Sequence, residues 1–409
     1  MKCFEDLKWR GLVKDISSPE LEDKLNNEKL TFYIGTDPTA DSMHIGHFSS
    51  FLIATRLAAY GHKPILLVGG ATGLIGDPKP SQERKMITRE EVNKNVLGLT
   101  KQAHDIFGFE VVNNYDWTKD ISVIDFLRDY GKYINVNYML DKDIIKRRLE
   151  SGITFCEFAY TLLQGLDFVT LNQKYGVTLQ VAGSDQWGNI TTGIELSRKM
   201  EGPELYGMTM PLVLDANGVK FGKTEGNALW LDKNKTSSYE LFQYLINTDD
   251  ACVIDYLKKL TFLTKEEIES IEEKQKMCPE ERIAQHALAR EVITFLHGEE
   301  EYNKALKISK DLFSGNIKDL TLDEIKDGFK DVPSFIIDEN MTLIDLLVKN
   351  NIASSKREAR EFINAGSISI NGEKEMEENK IIDSSLSIGG EVIVIRRGKK
   401  KYYLGIFKG

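Results

Sequence analysis

Between residues 30 and 68 the chain reads strand, glycine turn, helix, strand, an order that few folds accommodate. The apolar run 30–34 ends at Gly35-Thr36-Asp37-Pro38, a string of turn residues. Over 45–60 the side chains of Phe48, Phe51, Leu52 and Leu57 fall near one helical face, and Gly61 ends the pattern. Residues 64–68 are almost continuously apolar, as a strand buried on both faces must be. Two such strands joined through a helix make a βαβ unit. The expected fold class is α/β, a Rossmann-like doubly wound parallel sheet with its site at the carboxyl ends of the strands. A further buried strand is expected over 178–182, ahead of Gly183-Ser184-Asp185, with helices over 121–140, 155–169 and 190–199.

From 239 to about 327 the pattern is mostly helical, over 239–246, 251–260, 265–276 and 279–296. The expected division is a catalytic domain over 1–238, a helical domain over 239–330, a linker over 331–340 marked by Pro333, and a small α+β domain over 341–409. The last segment holds 12 Lys and Arg against 9 Asp and Glu, so it carries +3 in a chain of net −10. That balance excludes a basic coat over the whole molecule and leaves room for a local basic patch. Cys3, Cys156, Cys252 and Cys278 stand far apart without a CxxC pair. This argues against a zinc site and a disulfide framework and fits a reducing cytosol. The first residues show no secretory apolar core, and no stretch approaches the roughly 18 apolar residues of a membrane helix. The expectation is a cytoplasmic protein without membrane contact.

Two short motifs carry the chemistry. His44-Ile45-Gly46-His47 stands where the first strand hands over to its helix. A helix N-terminus attracts phosphate, two imidazoles one turn apart add donors, and Gly46 lets a flat nucleotide approach the backbone. Lys220-Phe221-Gly222-Lys223-Thr224 follows the turn signal Asp215-Ala216-Asn217-Gly218. Paired lysines usually sit in a solvated loop. With a glycine between them they can also form a cationic clamp on pyrophosphate as charge builds up on it. Tyr160, Gln164 and Asp167, four and three residues apart, share one face of a helix. By spacing alone that face either meets solvent or lines a pocket.

His44–His47 resembles the HIGH signature of class I aminoacyl-tRNA synthetases, and Lys220–Thr224 resembles a variant of their KMSKS loop. With Tyr33-Ile34-Gly35-Thr36-Asp37-Pro38-Thr39-Ala40-Asp41, the glycine-rich stretch 69–77 and Gly183-Ser184-Asp185-Gln186-Trp187-Gly188-Asn189, the chain is similar over nearly its whole length to bacterial-type tyrosyl-tRNA synthetases with a C-terminal S4-like domain. The resemblance implies that Tyr160, Gln164 and Asp77 bind the tyrosine ammonium, that Asp167 and Tyr33 hold its phenol, and that Gln186 lies near its carboxylate. It implies that Thr39 and His44 meet the γ-phosphate of ATP and His47 the ribose side. Asp185 and the Gly183 backbone would meet ribose hydroxyls, with Gly35, Asp37 and Gly46 also on the ATP side. Lys220, Lys223, Thr224 and Arg84 would act on pyrophosphate, with Lys79 a further candidate in a loop that is one residue short of the family pattern. ATP would come as a substrate with Mg²⁺. No protein metal site and no tightly bound cofactor are implied.

In the tail, Ser354-Ser355 precedes Lys356, Arg357 and Arg360, and a second basic run holds Arg396, Arg397, Lys399, Lys400 and Lys401. Together they favour RNA binding, and the resemblance implies tRNA(Tyr) as the partner. The apolar and aromatic stretch 126–140 either belongs to a core or, as the resemblance implies, contributes to a two-fold homodimer. Two other readings remain open on sequence. A small nucleotidyltransferase would explain the histidine motif but not Asp167 or the tail. A non-catalytic RNA-binding protein would tolerate loss of the motif residues, all of which are present.

Overall fold

The computed structural model describes residues 1–77, 86–149, 152–222, 228–330, 332–398 and 401–408. The chain forms two compact units, Met1–Lys235 with Thr248–Val292, and Thr236–Asn247 with Ile293–Gly409.

The first unit is built on a six-stranded sheet of β1 (Asp15–Ile16), β2 (Thr31–Thr36), β3 (Lys63–Val68), β4 (Glu110–Asn113), β5 (Leu179–Gly183) and β6 (Tyr206–Met210). The spatial order is β1-β6-β5-β2-β3-β4, parallel except for β1 against β6. The strands after β2 depart to opposite sides, β3 on one flank and β5 on the other, so a crevice opens at the carboxyl ends of β2 and β5. Helix α1 (Ile45–Ala59) follows β2, and α2 (Arg89–Gln102) lies between β3 and β4. Helix α3 (Phe155–Tyr175) and α4 (Trp187–Lys199) flank β5 in sequence, and α5 (Asp250–Leu260) follows later. Local chemistry sets these bounds. Thr154 and Glu157 form a capping box at the start of α3, and Gly176 closes it with φ +68°. Arg148 adds a bidentate pair to the buried Glu157, at 2.7 and 3.1 Å.

The structure differs from the sequence expectation over 121–140. In place of one helix there is a short helix Val123–Asp125, a π turn Phe126–Tyr130, a 3-10 turn Gly131–Tyr133 and a helix Val136–Leu140. Val123, Ile124, Leu127 and Val136 face solvent, while Phe126, Tyr130, Tyr133 and Ile134 pack on Leu162, Val169 and Leu196.

In the second unit a five-stranded sheet has the order β10-β9-β12-β13-β7, from β7 (Ser334–Ile337), β9 (Ile368–Ile370), β10 (Glu373–Lys374), β12 (Val392–Arg397) and β13 (Lys401–Phe407). A small pair joins β8 (Met341–Thr342) and β11 (Ile381–Ile382). The stretch expected as a linker therefore contains β7, paired parallel to β13. Residues alternate along β12 between two cores. Ile393 and Ile395 pack with Leu343, Leu347, Ala359 and Ile363, and Val392 and Val394 pack with Ile308, Ile317, Leu320 and Ile325. The tail sheet is thus covered on both faces, one of them by chain that precedes residue 331. The Asn371-Gly372 turn has φ +48° and +90°, the left-handed pair a tight hairpin needs.

Candidate functional site

A cavity of about 670 Å³ opens at the crevice beside β2 and β5. It gathers Tyr33, Gly35, Asp37, Thr39, His44, Gly46, His47, Asp77, Tyr160, Gln164, Asp167, Gly183, Asp185, Gln186 and Lys220 in one lining. Arg84, Lys223 and Thr224, like Lys79, lie outside the described residues.

At one end the site is buried around Tyr33, Gln164 and Asp167. Tyr33, on β2, is 1% exposed, and its hydroxyl has no hydrogen-bond partner among the described residues. The ring of Phe168 stands edge-on to it at 5.3 Å. Burial, and then the nearby Asp167 charge, pushes the Tyr33 phenol well above its ordinary pKa, so it stays protonated. Asp167, on α3, accepts from Asn114 Nδ2 at 3.0 Å and from Trp117 Nε1 at 2.9 Å. Burial pushes its carboxyl up to about 7 against the lowering effect of those two donors. Two bonds leave lone pairs on the carboxylate for a third donor. One helical turn back, Gln164 Oε1 is buried without a partner among the described residues.

Asp37 and Asp77 stand further along the cavity. Tyr160 donates to Asp37 at 3.0 Å and Thr72 donates to its other oxygen at 2.8 Å. Gln186 donates to Asp77 at 3.0 Å, and Asn189 bridges Gln186 and Asp77 at 2.9 and 3.3 Å. These contacts group Asp37 with Tyr160, whereas the sequence reading put it on the ATP side.

The histidine motif forms the first turn of α1. The His44 backbone N–H donates to His47 Nδ1 at 3.1 Å, and Gly46 N–H donates to His44 Nδ1 at 3.1 Å. Both rings therefore accept at Nδ1, which leaves the ring proton on Nε2. The rings stack at 3.9 Å. Burial, and then His44, pushes His47 down to about 3, so it is neutral. Gly46 has a local reason beyond nucleotide approach, since a Cβ there would meet the His44 ring at 2.9 Å. At the other motif, Phe221 N–H bonds Val213 O at 2.9 Å, closing a hairpin over 213–221. Lys220 reaches Asp185 at 3.6 Å, with both side chains half exposed. Tyr256 on α5 braces the hairpin, its hydroxyl on Leu214 O at 2.9 Å and its ring edge-on to Phe221 at 4.8 Å.

The sequence reading missed Gln180, Thr72, Asn114, Trp117 and Asn189. Gln180 pairs with Tyr33 across β5 and β2 and carries a buried, unpartnered Oε1 among the described residues. A glutamine inside an apolar strand was the available signal. Among the described residues no three His, Cys, Asp or Glu side chains gather as a metal site. No helix there is long and apolar enough to cross a membrane.

In the second unit Ser355 caps the helix Lys356–Asn364, and Lys356, Arg357 and Arg360 are exposed on it. Each has an acidic neighbour, Asp345 at 2.7 Å, Glu361 at 3.1 Å and Glu378 at 3.3 Å. Arg396 reaches Ser369 at 3.4 Å. Arg397 is committed to the fold through Ile352 O and the face of Phe362. Lys401 is exposed at the start of β13, and Lys399 and Lys400 lie outside the described residues.

Comparison with known proteins agrees with this geometry. Residues 25–314 match the family model of tRNA synthetases class I (W and Y), and residues 324–405 match that of the tyrosine–tRNA ligase SYY-like C-terminal domain. The chain is similar to a C-terminally truncated mitochondrial tyrosyl-tRNA synthetase of Aspergillus nidulans, with 33% identity over 76% of this chain and 94% of that one and a TM-score of 0.67. Its counterpart from Coccidioides posadasii gives 30% identity over 75% and 91%, with the same TM-score. A tyrosyl-tRNA synthetase of Archaeoglobus fulgidus, 17% identical over 75% of this chain and all of that one with a TM-score of 0.55, shares the fold. The chain belongs to the tyrosyl-tRNA synthetase family of class I aminoacyl-tRNA ligases.

Proposed function

We propose the following residue roles for tyrosine–tRNA ligation in this cavity. The observation that carries the tyrosine assignment is the buried, unpartnered Tyr33 hydroxyl close to the Asp167 carboxylate. A substrate phenol donates to Asp167 and accepts from Tyr33, whereas phenylalanine leaves both desolvated and unpaired. Tyr160, Gln164 and Asp77 hold the ammonium. The bond between Tyr160 and Asp37 supports adding Asp37 to them. Gln186 steadies the carboxylate.

That carboxylate attacks the α-phosphorus of ATP. A carboxyl C–O–P bond forms, the bond to the β-phosphate oxygen breaks, and pyrophosphate leaves, so no side-chain nucleophile is required. Thr39 and His44 meet the γ-phosphate and His47 the ribose side. Gly35 and Gly46 keep the walls low, and Gly183 and Asp185 take the ribose hydroxyls. Each ring accepts a backbone N–H at Nδ1 and so can donate from Nε2 to orient phosphate or ribose. Lys220, Lys223, Thr224 and Arg84 stabilise charge on the departing pyrophosphate, with Mg²⁺ as the counter-ion that ATP brings. The 3′-terminal ribose hydroxyl of tRNA(Tyr) then displaces AMP.

The proposed functional division keeps ATP and tyrosine on 1–238 and tRNA contacts on 239–330 and 341–409, with Lys356, Arg357, Arg360, Arg396 and Lys401 presented to phosphates. Two copies pair through the exposed Val123, Ile124, Leu127 and Val136, in a reducing cytoplasm that suits four free cysteines.

ATP–pyrophosphate exchange, run amino acid by amino acid, tests the reading. Exchange is expected with tyrosine, and Tyr33→Phe should cut the preference for tyrosine over phenylalanine by roughly tenfold, the value of one hydrogen bond. An unchanged ratio of kcat/KM would overturn the pocket assignment.

A further inference from the structure

The face of α2 turned toward the loop between β2 and α1 has no role in the chemistry so far. Asn95, Gly98 and Gln102 recur on it at spacings of three and four, one stripe of a helix. Asn95 is 4% exposed and donates from Nδ2 to Pro38 O at 2.9 Å. The N–H of the same peptide group, that of Thr39, donates to Asp37 O at 2.8 Å. Both polar groups of the Pro38–Thr39 peptide are thereby held, and its plane cannot turn without breaking a bond. At Gly98 the loop backbone comes so close that a Cβ would lie 2.2 Å from Asp41 O. Gln102 Oε1 accepts from Met43 N–H at 2.7 Å, and its Nε2 donates to Ser42 Oγ at 2.9 Å. Met43 is the residue before His44, and Met43 O in turn accepts from Leu231 N–H at 2.8 Å.

We propose that α2 positions the ATP-binding loop: Asn95 fixes the peptide that carries Thr39, Gln102 fixes the entry of the chain into His44, and Gly98 permits the contact. The inference rests on the reading that Thr39 and His44 bind ATP. None of the three lines the cavity, so they are positioning residues that act through the loop. A buried amide that donates to one carbonyl is specific chemistry for a fixed loop. A helix that served only as cover would need apolar side chains there, as it uses Val92 and Leu99 elsewhere.

The test uses the full chain and separates ATP chemistry from tyrosine binding. For Asn95→Leu and Gln102→Leu, kcat of pyrophosphate exchange should fall roughly 10- to 100-fold, the size expected when a reacting group is displaced by about 1 Å. Tyrosine affinity measured calorimetrically without ATP should stay within about twofold, which also shows that each variant is folded. Gln102→Glu keeps an acceptor for Met43 and should recover most of the rate. Asn95→Asp opposes two oxygens at Pro38 and should be at least as slow as Asn95→Leu. In a double-mutant cycle Asn95→Leu should add little to Thr39→Ala, because both disturb one contact. Full exchange rates in folded Leu variants, or tyrosine affinity lost in step with rate, would overturn the positioning role. His44→Ala is the reference. If it too exchanges at the full rate, the ATP reading itself has failed. If it is slow and the α2 variants are not, only the present inference has.

Discussion

Asp167 carries a pH dependence of its own. Its carboxyl is pushed up to about 7, chiefly by burial, while in an unfolded chain an aspartate titrates near 3.9. Between those values the folded protein holds a proton that the unfolded chain has lost. This group's contribution to stability is therefore complete below about 4 and is lost as pH rises through about 7. His47 works in the opposite sense. It is pushed down to about 3, so its contribution is present above about 6.5 and is lost as pH falls toward 3. The two slopes oppose each other in one window, so melts of the native protein alone mix them. The difference between native and Asp167→Asn isolates the first. Urea melts from pH 8 to pH 4 should show native stability rising relative to the variant as pH falls. A flat difference would mean that Asn114 and Trp117 offset the burial. The two donors were invisible in the sequence, because they reach Asp167 across 53 and 50 residues and only the folded sheet brings them there.

Among the elements, the hairpin over 213–221 and the first turn of α1 constrain each other through a glycine. Gly222 has φ +81°, and a Cβ on it would lie 1.9 Å from Ile45 Cγ2. Gly222→Ala would add left-handed strain of roughly 1–2 kcal/mol to that clash, and the cheapest relief moves Lys220 away from the cavity. Pyrophosphate exchange should fall by more than tenfold while tyrosine affinity in the absence of ATP holds. Loss of both together would make the glycine a general requirement of the fold. Local pattern made the elements around these motifs legible: β2, α1 and β3 came from apolar runs cut by glycine, and α3 from a 3.6-residue period. Where pattern was weak the reading failed. β6 is Tyr206-Gly207-Met208-Thr209-Met210, buried throughout and without alternation, and Gly207 is there because Ile190 leaves no room for a Cβ. β7 was hidden behind Pro333, and its partner β13 lies about 70 residues downstream, a pairing no local window contains. The stretch 121–140 looked helical by composition, but its apolar residues divide between a core, which takes Phe126, Tyr130, Tyr133 and Ile134, and solvent, which meets Val123, Ile124, Leu127 and Val136, and composition does not state that division.

For the whole molecule, the grouping of the tail with the helices before it alters what a truncation removes. Residues 341–409 supply β12 and β13, whose Val392, Val394 and Leu404 complete a core with Ile308, Ile317, Leu320 and Ile325. A cut at 340 therefore strips the cover from chain that remains and exposes several large apolar side chains, each worth about 1.5–3 kcal/mol when buried. The cavity lies within the first unit, which contains every described residue assigned to ATP and tyrosine. The truncated protein should keep pyrophosphate exchange near the full-length rate. Its helices within 299–329 should lose amide protection from hydrogen exchange, which the sheet of the first unit should retain. Charging of tRNA(Tyr) should fall sharply. Affinity for tRNA should also depend less steeply on salt than in the full chain, because each phosphate contact removed lowers the slope. That change in slope should be small for the number of cations deleted. Lys356, Arg357 and Arg360 each have an acidic neighbour to displace, and Arg397 is held by Ile352 and Phe362. Charging at the full-length rate with an unchanged salt slope would remove the tail from tRNA recognition. Loss of exchange together with charging would show that the first unit depends on the second for its own fold.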